Sequence, residues 1–135
     1  MQQVISPEEF ASRAVGLPWI RWRSDWLAAD CFGLVLLYYR SVLGIELGTV
    51  PQTDIAEGFA QVRGWRECGP EPGVTGFMTW RDGAPTHCGV LLPRGQLIHA
   101  QQGHPRAEDG STRITRLDVM ARACPDLRFY RHERC

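Results

Sequence analysis

The chain contains no lysine: all fifteen of its basic residues are arginine. That excludes lysine Schiff-base chemistry and a lysine general base. An excess of one charge sign is missing too. Fifteen acidic residues balance the arginines, so no net field recommends a nucleic-acid or membrane partner. Long apolar runs are absent. The longest, Phe32 to Tyr39, is far shorter than the roughly 20 residues a membrane span needs. Met1-Gln2-Gln3-Val4-Ile5-Ser6-Pro7 has no charged or apolar leader segment, which predicts synthesis in the cytoplasm without a signal peptide. No internal repeat and no Cys-x-x-Cys pair occurs. The five cysteines, Cys31, Cys68, Cys88, Cys124 and Cys135, are an odd number, which predicts free thiols rather than a disulfide framework.

What is present is ordinary for a globular chain. Its 135 residues are 44% hydrophobic and 22% charged, which predicts one domain over residues 1–135. Ser6-Pro7-Glu8-Glu9 opens a first helix with a capping box, running to about Val15 and stopping at Gly16. A loop rich in aromatics and arginine follows, from Trp19 to Ala29. Its Trp22 and Trp26 either line a cleft or cover the loop's apolar underside. Asp30 caps a second helix from Cys31 to about Leu43, with Leu34, Val35, Tyr38 and Val42 on a buried face. A third helix is expected over residues 54–62, and the glycines and prolines of residues 64–73 predict a loop. Val74–Trp80, Thr86–Leu92 and Gln96–Gln101 read as strands, Asp118–Ala123 as a short helix and Leu127–Arg131 as a last strand. Helices followed by antiparallel strands predict an α+β fold.

Three residues carry candidate chemistry: Cys31, His87 and His99. Cys31 stands at the first turn of a helix, where free N–H groups and the positive dipole end favour a thiolate. The same groups can receive an oxyanion. His87 and His99 flank the three-residue turn Pro93-Arg94-Gly95. That turn sets Leu92 opposite Gln96, and His87 and His99 become diagonal neighbours on one sheet face, ~7 Å apart at Cα. One imidazole can then take a thiol proton while the other orients it, as nucleophile–base–orienter sites require. Gln101, on the same face, rivals His99 for the orienting role. His87 and Cys88 are adjacent on a strand and point to opposite faces, which argues against a shared metal ion. No metal and no cofactor are called for. His104 and His132 have no partner pattern and are read as solvated.

Gly16-Leu17-Pro18-Trp19, Asp30-Cys31-Phe32-Gly33-Leu34-Val35, His87-Cys88-Gly89-Val90 and Ile98-His99-Ala100 together resemble the NlpC family of papain-like cysteine peptidases. The resemblance covers roughly residues 11 to 131. It implies a papain-like NlpC-type fold, with helices packed on an antiparallel sheet and the catalytic cysteine at a helix N-terminus. It implies hydrolysis of peptide bonds in bacterial cell-wall stem peptides, with Cys31 as nucleophile, His87 as general base and His99 as the orienting residue. Asp30 matches a position that binds a stem-peptide amine, and Trp19 stands at a substrate-side position where the family usually has tyrosine. The arginine-rich loop and Tyr38-Tyr39-Arg40 resemble the phage-tail branch, which implies virion association and tail-tip proteins as partners. Phe32 replaces the family's usual serine, and Gly73-Val74 replaces its usual Gly-Asp. Two further readings stay open: an idle tail-assembly or adaptor module, and an amidase or acyltransferase using the same Cys–His pair.

Overall fold

The computed structural model describes residues 4–53, 58–59 and 64–135. The Ser6 hydroxyl accepts from the Glu9 N–H at 3.1 Å and starts α1 (Pro7–Ala14), which buries Phe10 and Ala14. The chain turns away at Gly16 with φ +94°. α2 spans Cys31–Tyr38 and continues as a π-helical turn, Tyr39–Leu43, closed by Gly44 in the left-handed region. The sequence predicts one buried face here. Instead every residue from Gly33 to Tyr38 is buried. α2 packs on the sheet on one side, while Phe10 of α1 stands edge-on to Tyr38 at 4.9 Å on another. The Tyr38 and Tyr39 hydroxyls donate to the Gly73 and Val74 carbonyls, each at 2.6 Å, so the helix buries no unpaired phenol.

The strands are β1 (Trp65–Cys68), β2 (Gly76–Arg81), β3 (Ala84–Leu92), β4 (Gln96–Gln101), β5 (Ser111–Arg116) and β6 (Leu127–His132), with α3 (Leu117–Ala123) between the last two. They form one sheet in the order β1-β6-β2-β3-β4-β5, and each neighbouring pair is antiparallel. The fold is α+β, with helices on an antiparallel sheet. Met78, Cys88, Val90 and Ile98 face α2; Phe77, Leu91 and Leu97 face Met120 of α3. Among the described residues, no helix is long and apolar enough to cross a membrane.

Three expectations need correction. The predicted loop over residues 64–73 contains β1, and β5 lies where no strand is predicted. Both are the outer strands of the sheet. Edge strands tolerate charge and polarity on both faces, so Trp-Arg-Glu-Cys and Ser-Thr-Arg-Ile-Thr-Arg lack the apolar alternation of their neighbours. His132 is buried rather than solvated: its ring stands edge-on to Trp65 at 5.1 Å, and Nδ1 accepts from the Arg134 N–H at 3.1 Å. Of the helix expected over residues 54–62, only Gly58 and Phe59 are described, and both are helical.

Candidate active site

Cys31 is the first residue of α2, and Asp30 organises everything around it. One carboxylate oxygen of Asp30 accepts from the Gly33 N–H at 2.7 Å, capping the helix; the other accepts from the Trp22 N–H at 2.6 Å, pulling the preceding loop onto the helix end. Trp22 takes a positive φ of +66° there. The loop comes so close that a Cβ on Gly33 would lie 1.8 Å from the Arg23 carbonyl oxygen, so no larger residue fits. Asp25 turns the loop by accepting from the Leu27 and Ala28 N–H groups at 2.8 and 3.1 Å. The two tryptophans have separate fates. Trp22 borders the cleft beside Cys31, whereas Trp26 packs on Phe10 under the Arg13 guanidinium. Trp19 is 93% buried, its ring under Arg21 at 5.5 Å. A cleft of about 240 Å³ is bordered by Trp19, Arg21, Trp22, Asp30, Cys31, Thr86 and Gln102.

The histidines come from the β3–β4 hairpin. Its register pairs Leu92 with Gln96, Leu91 with Leu97 and Val90 with Ile98, as the turn predicts, and Arg94 and Gly95 supply the left-handed turn conformations. His87 and His99 therefore share a face, and His87 Nε2 lies 2.9 Å from His99 Nδ1. Gln101 instead donates toward the Gln102 carbonyl at 3.4 Å, so His99 is the residue that meets His87. Gly89 makes the pairing possible. A Cβ there would stand 2.4 Å from the Ile98 carbonyl oxygen, 2.5 Å from the Phe77 ring and 2.8 Å from His99 Cβ. On the β2 side, Thr79 pairs with His87 but Trp80 pairs with Pro85, a shift that leaves Thr86 as an extra residue. Such bulges re-aim the neighbouring side chain. The far nitrogen of His99, Nε2, lies 2.8 Å from Thr115 Oγ1 on β5.

The electrostatics follow from this packing. The Cys31 thiol is held well below its ordinary acidity range, first by hydrogen bonding with Cys88 and then by the hydrogen bond and charge of His87. Cys88 is pushed the other way by the same contact and by burial. Cys88 does face away from His87 along the strand, yet both side chains act on Cys31, which the alternation of β3 alone does not suggest. Burial raises the Asp30 carboxyl to about 6, against the two N–H bonds that lower it. Burial, then the charges of His87 and Arg113, lower His99 to about 3, so it stays neutral. A nucleophilic sulfur beside a histidine, with a neutral second imidazole behind it, is equipped for acyl transfer. Gly33 and Leu34 give their N–H groups to Asp30. Those of Cys31 and Phe32, at the same positive helix end, have no partner among the described residues and can receive an oxyanion.

Of the five residues singled out from sequence, Cys31, Asp30 and Trp19 border the cleft on the helix side, while on the strand side His87 acts on Cys31 and His99 bonds to His87. Sequence reasoning missed Thr115, because β5 carries no strand signal, and the approach of Cys88 to Cys31. Gly33 and Gly89 stood inside the quoted motifs without a stated role. Tyr38, Tyr39 and Arg40 have internal work: the phenols bind the chain before β2, and Arg40 donates to the Ser24 carbonyl at 2.7 Å.

Known proteins share this fold. The sequence pattern of the NlpC/P60 family matches residues 19–118, well over half of the chain. Among solved structures, the chain is similar to the NlpC/p60 domain of the peptidoglycan hydrolase SagA. Identity is 21%, 93% of this chain and 95% of that one are covered, and the TM-score is 0.62. It is also similar to an NlpC/P60 family protein from Bacillus cereus ATCC 10987. There identity is 19%, 97% of this chain and 41% of that one are covered, and the TM-score is 0.63. No curated protein matches it. At these identities the structural likeness shows a shared fold.

Proposed function

The chain belongs to the NlpC/P60 family, and from that premise we propose that it is a cysteine peptidase acting on the stem peptides of bacterial cell walls. One observation carries the reading: Cys31, at the first turn of a buried helix, has its thiol drawn down beside His87, and His87 is bonded at 2.9 Å to a neutral His99. The likeness to a peptidoglycan hydrolase domain supports the substrate class. In this mechanism the Cys31 thiolate attacks the peptide carbonyl, and the N–H groups at the start of α2 receive the oxyanion. His87, protonated at Nδ1 by the thiol, gives that proton to the leaving amine. Water, deprotonated by His87, then hydrolyses the thioester and restores the thiol. His99 keeps the His87 ring in place throughout. Asp30 presents its carboxylate to a stem-peptide amine, and Trp19 forms the cleft wall beside it. The finer phage-tail setting rests on the arginine-rich loop of residues 19–29 alone, since Tyr38, Tyr39 and Arg40 serve the fold.

The test is Cys31→Ala. Cleavage of purified peptidoglycan should vanish while the circular dichroism spectrum and urea midpoint stay put. Undiminished hydrolysis by that variant sinks the assignment. In the wild-type protein iodoacetamide should label Cys31 first, well below about pH 8.5, and the buried Cys88 last. Slow, uniform labelling of all five thiols would mean an idle module instead.

A further inference from the structure

Behind the two histidines the hydrogen bonds continue one residue further than the proposed reaction uses. His87 Nε2, His99 Nδ1, His99 Nε2 and Thr115 Oγ1 lie in series, at 2.9 and 2.8 Å. The series crosses three adjacent strands, β3, β4 and β5. Thr115 pairs with Leu97, which sets it diagonal to His99 on the same face. His99 is 2% exposed, so water does not compete for its ring.

We propose that Thr115 is a positioning residue whose hydroxyl oxygen accepts the His99 Nε2 proton and thereby sets the proton arrangement of both histidines. A neutral imidazole carries one N–H. If it sits on Nε2, Nδ1 is a bare acceptor, and His87 must point its own Nε2–H at it. His87 Nδ1 is then bare and free to take the thiol proton. If Thr115 donated instead, His99 would carry its proton on Nδ1 and give it to His87 Nε2. His87 would then hold its proton on Nδ1, on the side where a base is needed. Only the first arrangement also accommodates the imidazolium, which needs an acceptor at His99 Nδ1. Burial, which disfavours the charged form of His99, keeps it in the neutral state this logic requires.

The rate consequence rests on the peptidase reading; the proton arrangement does not, so the resting protein is measured first. Long-range proton–nitrogen NMR at neutral pH should show His99 protonated at Nε2, with its Nδ1 bare. A His99 proton on Nδ1 in the wild-type protein overturns the proposal, whatever the variants do. Thr115→Val keeps the shape and removes the acceptor. Its His99 nitrogen signals should move toward the Nδ1–H form. On a stem-peptide fragment kcat should fall about tenfold, the upper end for one lost hydrogen bond, with KM unchanged. Thr115→Ser should restore both signals and rate. Unmoved nitrogen signals in Thr115→Val, or a loss confined to KM, refute the role. If undiminished hydrolysis by Cys31→Ala sinks the peptidase reading, the NMR result still decides the question for Thr115.

Discussion

On the helix side of the cleft, the bonds run from backbone to carboxylate and span few residues: Asp30 holds Gly33 at 2.7 Å and Trp22 at 2.6 Å. On the strand side they run from side chain to side chain across three strands, from His87 through His99 to Thr115. The helix half is complete once α2 and its preceding loop have formed. The strand half exists only if two ladders hold their registers, because a slip of one residue turns His99 or Thr115 to the other face. Besides the cysteines, each half also buries an ionisable group, Asp30 on one side and His99 on the other. Burial drives both toward neutrality, which raises the Asp30 carboxyl and lowers the His99 imidazole.

Breaking the strand half at successive links should give the largest effects. His87→Ala should lower kcat on the order of a thousandfold, the scale of a lost general base. His99→Ala should cost less, about ten- to a hundredfold, since it misplaces the base without removing it. Single-turnover hydrolysis of a stem-peptide fragment ranks the two, and the reverse order refutes the division of roles. Next come the glycines that let each half close. Gly33→Ala drives a methyl into the Arg23 carbonyl, and Gly89→Ala drives one into the Ile98 carbonyl and the Phe77 ring. Both obstacles include backbone, so each substitution should cost about 3 kcal/mol or more in urea unfolding. If Gly89→Ala proved neutral, the close packing of His99 against β3 would be wrong.

The smallest effect sharpens the contrast most. Asp30 has a folded pKa of about 6, above the ordinary 3.8, so its contribution to stability is complete below about pH 4 and lost as pH rises through about 6. His99 has a folded pKa of about 3, below the ordinary 6.5; its contribution is complete above about pH 6.5 and lost as pH falls toward 3. Between about pH 5 and pH 7 each amounts to about 1 to 2 kcal/mol, with opposite signs. Their sum should leave the wild-type stability nearly flat across that window. Asp30→Asn should then gain stability as pH rises, and His99→Gln should lose it. Urea midpoints at the two pH values read the slopes, and slopes of one sign in both variants would show that a different group dominates.

Legibility follows the same divide. The capped start of α2 and the hairpin turn are both readable, because a cap is a bond over three residues and Pro93-Arg94-Gly95 has few ways to fold. The π-helical end of α2, the extra residue at Thr86 and the strand that carries Thr115 are not. Each is imposed by a neighbour rather than by local preference. β5 has no apolar alternation because it closes the sheet at an edge, and Cys88 reaches Cys31 although strand alternation sends it away from His87. Within one loop, Trp22 and Trp26 look alike in sequence, and only the turn at Asp25 sends one to the cleft and the other to Phe10.

From its sequence alone the protein was bound to begin a helix at Cys31 under an Asp30 cap and to present two histidines on one hairpin face. Those outcomes rest on hydrogen bonds and turn conformations a few residues long. The tertiary structure alone decided that the cysteine and the histidines meet, that Cys88 shares the site, and that Thr115 stands behind His99. Such contacts depend on chain paths and registers set by the packing of the whole sheet, and no short stretch of sequence encodes them.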